Sequence, residues 1–151
     1  PVAASSLVTP PVATGGLVYF ASGNVLYAIE RATGKERWSY VAKAGETLTM
    51  PAVASGLAYT LSANTLYAFD AARGAAVWQH TPEGPSQSFT YPPSIAGDMV
   101  YIAGNSALIA VDARNGEQRW KYDTAVPVKS SPVIADGLVF LIGEQGVYAL
   151  R

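Results

Sequence analysis

The chain has 151 residues, half of them hydrophobic and 14% charged, with a formal net charge of −1. That length holds one domain able to bury about 68–70% of its unfolded surface, and that composition excludes a disordered chain. The near-neutral charge without a basic cluster excludes nucleic acid as a main partner, no apolar run reaches the ~20 residues of a membrane span, and zero cysteines exclude disulfides and thiol chemistry.

In chain order, the first residues carry no initiator Met and no signal-peptide pattern, so the sequence reads as a processed form or an excised piece. Residues 11–40 read PVATGGLVYFASGNVLYAIERATGKERWSY, and residues 51–80 read PAVASGLAYTLSANTLYAFDAARGAAVWQH. The two align without a gap at an offset of 40, sharing among others Gly16/Gly56, Tyr19/Tyr59, Leu26/Leu66, Gly34/Gly74 and Trp38/Trp78. A third copy follows at an offset of 42 from the second, with Pro93, Tyr101, Ala110, Asp112, Gly116 and Trp120. A fourth, at an offset of 81 from the second, keeps Pro132, Gly137, Phe140, Val147 and Tyr148, and the sequence ends at Arg151 before its tryptophan position.

Within the second copy, residues 47–54, 57–62, 65–70 and 76–80 are rich in Val, Tyr, Phe, Trp and Thr and are separated by Gly, Asn and Ser turns. That pattern predicts four short strands per repeat, and no segment holds a helical period. Four strands at a period near 40 describe an all-β propeller of four consecutive four-stranded antiparallel blades, the last lacking its outer strand. The blades are expected at about 5–40, 46–80, 87–122 and 127–151.

The strongest shared motif is AIERATGKERW at 28–38, AFDAARGAAVW at 68–78 and AVDARNGEQRW at 110–120. Asp70 and Asp112 stand where a strand ends, and a short carboxylate there accepts backbone N–H groups of the following turn. Gly34, Gly74 and Gly116 stand where a tight hairpin needs positive φ. Trp38, Trp78 and Trp120 follow at a constant spacing. This motif resembles the tryptophan-docking motif of the pyrroloquinoline-quinone-like (PQQ-like) β-propeller repeats, and the resemblance covers nearly the whole chain. It implies that each indole packs flat on the adjacent blade, with its N–H bonded to a backbone carbonyl. Glu30 departs from the motif's Asp, and the family's Thr before Gly survives only as Thr33.

The recurrent aromatics Tyr19, Tyr59, Tyr101 and Phe140, with Tyr27, Tyr67 and Tyr148, read as blade-to-blade packing. His80, the sole histidine, aligns with Tyr40 and Tyr122 and reads as an edge residue. No catalytic or metal-ligating set stands out. Ligands of propellers sit at the mouth of the central channel, lined here by the connections 42–50, 81–91 and 123–131, whose length and composition vary between repeats. They supply Thr49, Met50, Phe89, Tyr91, Lys129 and Ser130 as candidates.

The resemblance extends to quinoprotein dehydrogenases, which hold PQQ and calcium under a vicinal disulfide. Here there is no cysteine pair and no Asp/Glu/Asn cluster of calcium-ligand character, so neither PQQ nor calcium is expected, and the chain is not expected to be an enzyme. The expected function is a non-catalytic recognition module outside the cytoplasm, at the cell surface or in the periplasm, tethered through a segment outside this sequence. Its partner would be a protein or a small ligand. One branch resembles the sensor part of bacterial receptor-type Ser/Thr kinases; a second is similar to the propeller lipoprotein of outer-membrane β-barrel assembly; a third is a dehydrogenase fragment. Open blade edges predict further blades or self-association.

Overall fold

The computed structural model of the chain describes residues 8–83, 88–124 and 127–151. The start of the first expected blade (5–7), residue 87 of the third, and residues 84–87 and 125–126 of two connections lie outside them.

Among the described residues every regular element is a strand, and consecutive strands form hairpins in four sheets. The first sheet contains β1 (Val12–Thr14), β2 (Leu17–Ser22), β3 (Val25–Glu30) and β4 (Glu36–Val41). The second contains β5 (Ala52–Ala54), β6 (Leu57–Ser62), β7 (Thr65–Asp70) and β8 (Ala76–His80). The third contains β9 (Ser94–Ala96), β10 (Met99–Ala103), β11 (Ala107–Asp112) and β12 (Gln118–Asp123). The fourth stops at three strands, β13 (Val133–Ala135), β14 (Leu138–Gly143) and β15 (Gly146–Leu150). All pairings are antiparallel, and the inner strands β1, β5, β9 and β13 are successive neighbours, which is the arrangement of propeller blades about an axis.

The inner strands are shorter than the sequence predicts: β5 covers 52–54, where 47–54 was expected. Pro51 has no N–H for the ladder, so regular pairing stops there. Upstream the contact survives as a single bridge, Leu48 to Ser62, and side chains take over the bonding. The same isolated bridge recurs as Val8 to Ser22 and Val128 to Gly143.

Burial divides into three layers, one between each pair of neighbouring sheets. Tyr19, Leu26 and Trp38 of the first sheet meet Ala58 and Phe69 of the second. Tyr59, Leu61 and Leu66 of the second meet Val100, Ile102 and Ile109 of the third. Ala103 and Leu108 of the third meet Val139 and Leu141 of the fourth. Strand β11, with the run ALIAVD, is buried at all six positions because its sheet is covered on both faces. In β15 the third and fifth residues are half-buried and the others exposed, because its sheet has one neighbour.

Candidate functional site

The motif turns form two equivalent niches. Trp38 Nε1 donates to the Ala71 carbonyl of the next sheet at 2.8 Å, and Trp78 Nε1 donates to the Ala113 carbonyl at 3.1 Å. The same two carbonyls accept the hydroxyls of Tyr19 and Tyr59, each at 3.0 Å. Each niche therefore joins two aromatic donors of one blade to one carbonyl of the next. Burial, with Asp112 nearby, pushes the Tyr59 phenol up to about 12, and burial raises Tyr19 for the same reason, so both hydroxyls keep their donor protons. The indoles lie against the motif glycines: a Cβ on Gly74 would stand 2.5 Å from the Trp38 ring, and one on Gly116 would stand 2.7 Å from the Trp78 ring.

Trp120 differs. It is 39% exposed, against 8% for Trp38, and makes an edge contact with Tyr101 at 5.9 Å. The three tryptophans expected to share one environment therefore divide into two docked indoles and one half-exposed. The offset of 81 carries Ala71 and Gly74 to positions 152 and 155, beyond residue 151.

The acidic motif residues also serve the turn. Asp70 Oδ1 accepts the N–H groups of Ala72 and Arg73 at 3.0 and 2.8 Å, and Asp112 Oδ1 accepts that of Arg114 at 2.9 Å. The ladder between third and fourth strands shifts register beside the alanine opposite each tryptophan, placing Arg37, Val77 and Arg119 at the extra position. Arg119 turns back to Asp112 at 2.7 Å and, with the Arg114 amide, holds that carboxyl below its ordinary range. The bulge was not predicted from sequence; its signal is the charged pair Glu30/Arg37 and Asp112/Arg119 recurring at one spacing.

At the channel end, Thr49, Met50 and Phe89 line one depression of about 580 Å³ together with Thr9, Pro10 and Glu46. Tyr91, Lys129 and Ser130 do not line it. Phe89 is 3% exposed and belongs to the core between the second and third sheets. Thr49 Oγ1 accepts the Leu61 N–H at 3.1 Å, Thr9 Oγ1 accepts that of Ala21 at 2.9 Å, and Ser130 Oγ accepts that of Ile142 at 3.1 Å. These hydroxyls latch the second strand where the inner strand has stopped pairing. Lys129 pairs with Glu144 at 3.2 Å. Thr9 was missed in sequence, although it sits at the repeat position of Thr49. Met50 and the exposed Thr47, Ser88 and Thr90 also line the depression.

His80 ends β8, the outer strand of its sheet. It is half-buried, its Nε2 is buried without a hydrogen-bond partner among the described residues, and burial lowers its pKa below 6.5 against the opposing effect of Gln118 and the Gly116 backbone. A lowered folded-state pKa means that the unfolded chain binds the proton more readily. The neutral imidazole's share of stability is complete above about pH 6.5 and is lost as pH falls toward the lowered value. Thermal melting from about pH 7.5 to about pH 5 should show a fall in Tm that His80→Gln flattens. An unchanged slope in that variant excludes His80 as the source.

The family model described as outer membrane protein assembly factor BamB matches residues 3–151. No curated protein matches the chain in sequence. Among solved structures, BamB from Moraxella catarrhalis is 17% identical with a TM-score of 0.76, over 90% of this chain and 46% of that one. Quinohemoprotein alcohol dehydrogenase from Comamonas testosteroni is 23% identical with a TM-score of 0.69, over 80% and 21%. The computationally designed Ika4 protein is 12% identical with a TM-score of 0.82, over 97% and 91%. The chain thus spans about half the length of the BamB structure it matches.

Proposed function

The chain belongs to the family described as outer membrane protein assembly factor BamB, and from that membership we propose that it is a non-catalytic, extracytoplasmic module that binds another protein. One observation carries the reading: the family match runs through residues 3–151 and so takes in the connections as well as the blades. The channel-end depression supports it, since its exposed threonines and Met50 offer contact surface while the neighbouring hydroxyls are committed to the backbone. The scaffold reading is preferred to the kinase-sensor reading, because the family description names assembly of outer membrane proteins and nothing in it points to a kinase.

The dehydrogenase likeness brings PQQ and calcium into question. The donors of this chain do not fit that pair. Among the described residues no three His, Cys, Asp or Glu side chains gather where a metal ion could sit. Asp70 and Asp112 are taken up by turn amides and arginines, and Glu46 accepts the Ser62 hydroxyl at 2.6 Å. Calcium needs six to eight oxygen ligands in one place.

Two measurements test the proposal. A photo-crosslinking residue at Thr47 or Thr90, with the chain expressed in an outer-membrane-bearing cell, should capture an envelope protein, and the same group at the exposed turn residue Arg73 should not. Addition of PQQ with Ca²⁺ should leave Tm unchanged, since only a ligand that binds the native state raises it. A rise in Tm with quinone and calcium, or crosslinks that favour Arg73, would overturn the reading.

A further inference from the structure

The channel-end depression is walled by the segments that lead into β1, β5 and β9 and by Ala63, which follows β6. Among its described lining residues Glu46 is the only acidic or basic one. The Glu46 carboxylate is held in place: Ser62, 1% exposed at the end of β6, donates to Oε2 at 2.6 Å. The Glu46 N–H closes a turn on the Lys43 carbonyl at 3.1 Å. Among the described residues no lysine or arginine pairs with this carboxylate, Lys43 included. By contrast, Glu30, Asp70, Asp112, Glu117, Asp123 and Glu144 each have a cation within 3.8 Å. A fixed carboxylate without a counter-ion, set in a concave wall beside Pro10, Met50 and Pro92, attracts positive charge. Ala63 adds an apolar contact at some cost. Its φ is +51° at the repeat position of Gly23, so a methyl group is kept in strained backbone on the wall of the depression.

We propose that the depression receives one lysine or arginine side chain of the partner polypeptide, with its charge against Glu46 and its methylene stem along Ala63 and Met50. Long cationic side chains suit such a place, because the stem is apolar and only the head needs a polar partner. A metal ion does not suit it. One carboxylate is far short of the six to eight oxygens that calcium takes, and the hydroxyls of Thr9 and Thr49 are bonded to strand amides. Exposed Thr47, Ser88 and Thr90 offer hydroxyls to the partner's backbone on either side of the cation. Because Ser62 already holds the carboxylate, little ordering is left to be done when the cation arrives. This inference rests on the protein-binding reading above and names the residue type that the partner presents.

The probe is the pentapeptide acetyl-Ala-Leu-Lys-Leu-Ala-amide, titrated into the intact chain at low salt and followed by amide resonances. It should shift the amides of Thr47, Thr49 and Thr90. It should also bind about fivefold more tightly than the same peptide with N-acetyl-lysine, which keeps the stem and loses the charge. Glu46→Gln keeps an oxygen for Ser62 and should erase that preference, as should about 0.5 M salt. Circular dichroism checks that the variant folds, and the two peptides on the unaltered chain decide the matter if it does not. Equal affinity for the two peptides, a preference that survives Glu46→Gln, or shifts that fall outside the depression would overturn the proposal, as would no binding at all. Crosslinking at Thr47 and Thr90 tests the protein-binding reading separately, so the two failures are told apart.

Discussion

Trp38→Ala is expected to destabilise the folded chain by about 3–5 kcal/mol, the range for removing a buried large aromatic side chain. The indole is 8% exposed and touches Tyr19 at 6.0 Å and Phe69 at 6.3 Å between ring centres, so its removal opens a cavity between two stiff sheets that cannot collapse. Hydrogen bonding is the smaller part of the loss. A neutral bond contributes about 1 kcal/mol net, and the Ala71 carbonyl keeps the Tyr19 hydroxyl after the indole has gone. Trp38→Phe, which removes the N–H but keeps most of the ring, should accordingly cost only about 1–2 kcal/mol. Trp120→Ala is the internal comparison: with 39% of the residue exposed, it should cost about 1 kcal/mol or less. Urea denaturation followed by circular dichroism orders the three variants. Equal losses at Trp38 and Trp120 would contradict the difference between their surroundings.

The second large effect is at a residue with no side chain. Gly74→Ala should cost about 2–4 kcal/mol, from two sources that a comparison separates. Gly74 has φ of +72°, and an alanine there carries a strain of about 1 kcal/mol. The new methyl would also stand 2.5 Å from the Trp38 ring, a distance no Cβ tolerates, so sheet or indole must shift. Gly34 has nearly the same φ, +69°, and nothing within 4 Å of a built Cβ. Gly34→Ala should therefore show the strain alone, about 1 kcal/mol. In a double-mutant cycle, the cost of Gly74→Ala should drop toward that of Gly34→Ala once Trp38 is alanine, because the clash has lost its partner. Additive costs would mean that the methyl finds room elsewhere and that the indole does not press on the turn.

Much of this architecture was readable because it repeats. A residue needed for the same reason in each blade returns at the same offset, so the motif glycines and carboxylates could be assigned to turns without any coordinates, while docking of the tryptophans was implied by the resemblance to PQQ-like repeats. The candidate site was less readable for the opposite reason. Thr49 and Ser130 lie in connections that differ between repeats, and a hydroxyl facing a ligand looks the same in sequence as one bonded to the next strand's N–H. Phe89, which a loop position suggests is exposed, is core because its connection folds inward onto the layer between the second and third sheets. The inner strands came out short because Pro51 removes a donor where periodicity alone continues the strand.

By itself, the sequence determined the blade: four short strands and the turns between them, since these follow from local period and the conformational demands of Gly, Asn and Ser. It also placed the motif indoles at one repeat position. Tertiary structure alone decided which of them are housed, because docking is a contact between sheets some 33 to 35 residues apart, Trp38 to Ala71 and Trp78 to Ala113. Whether such a contact exists depends on what stands beside the blade, and a repeat unit is identical whether its neighbour is present or not. The same logic leaves His80 half-buried and Val147 exposed at positions whose composition predicts neither.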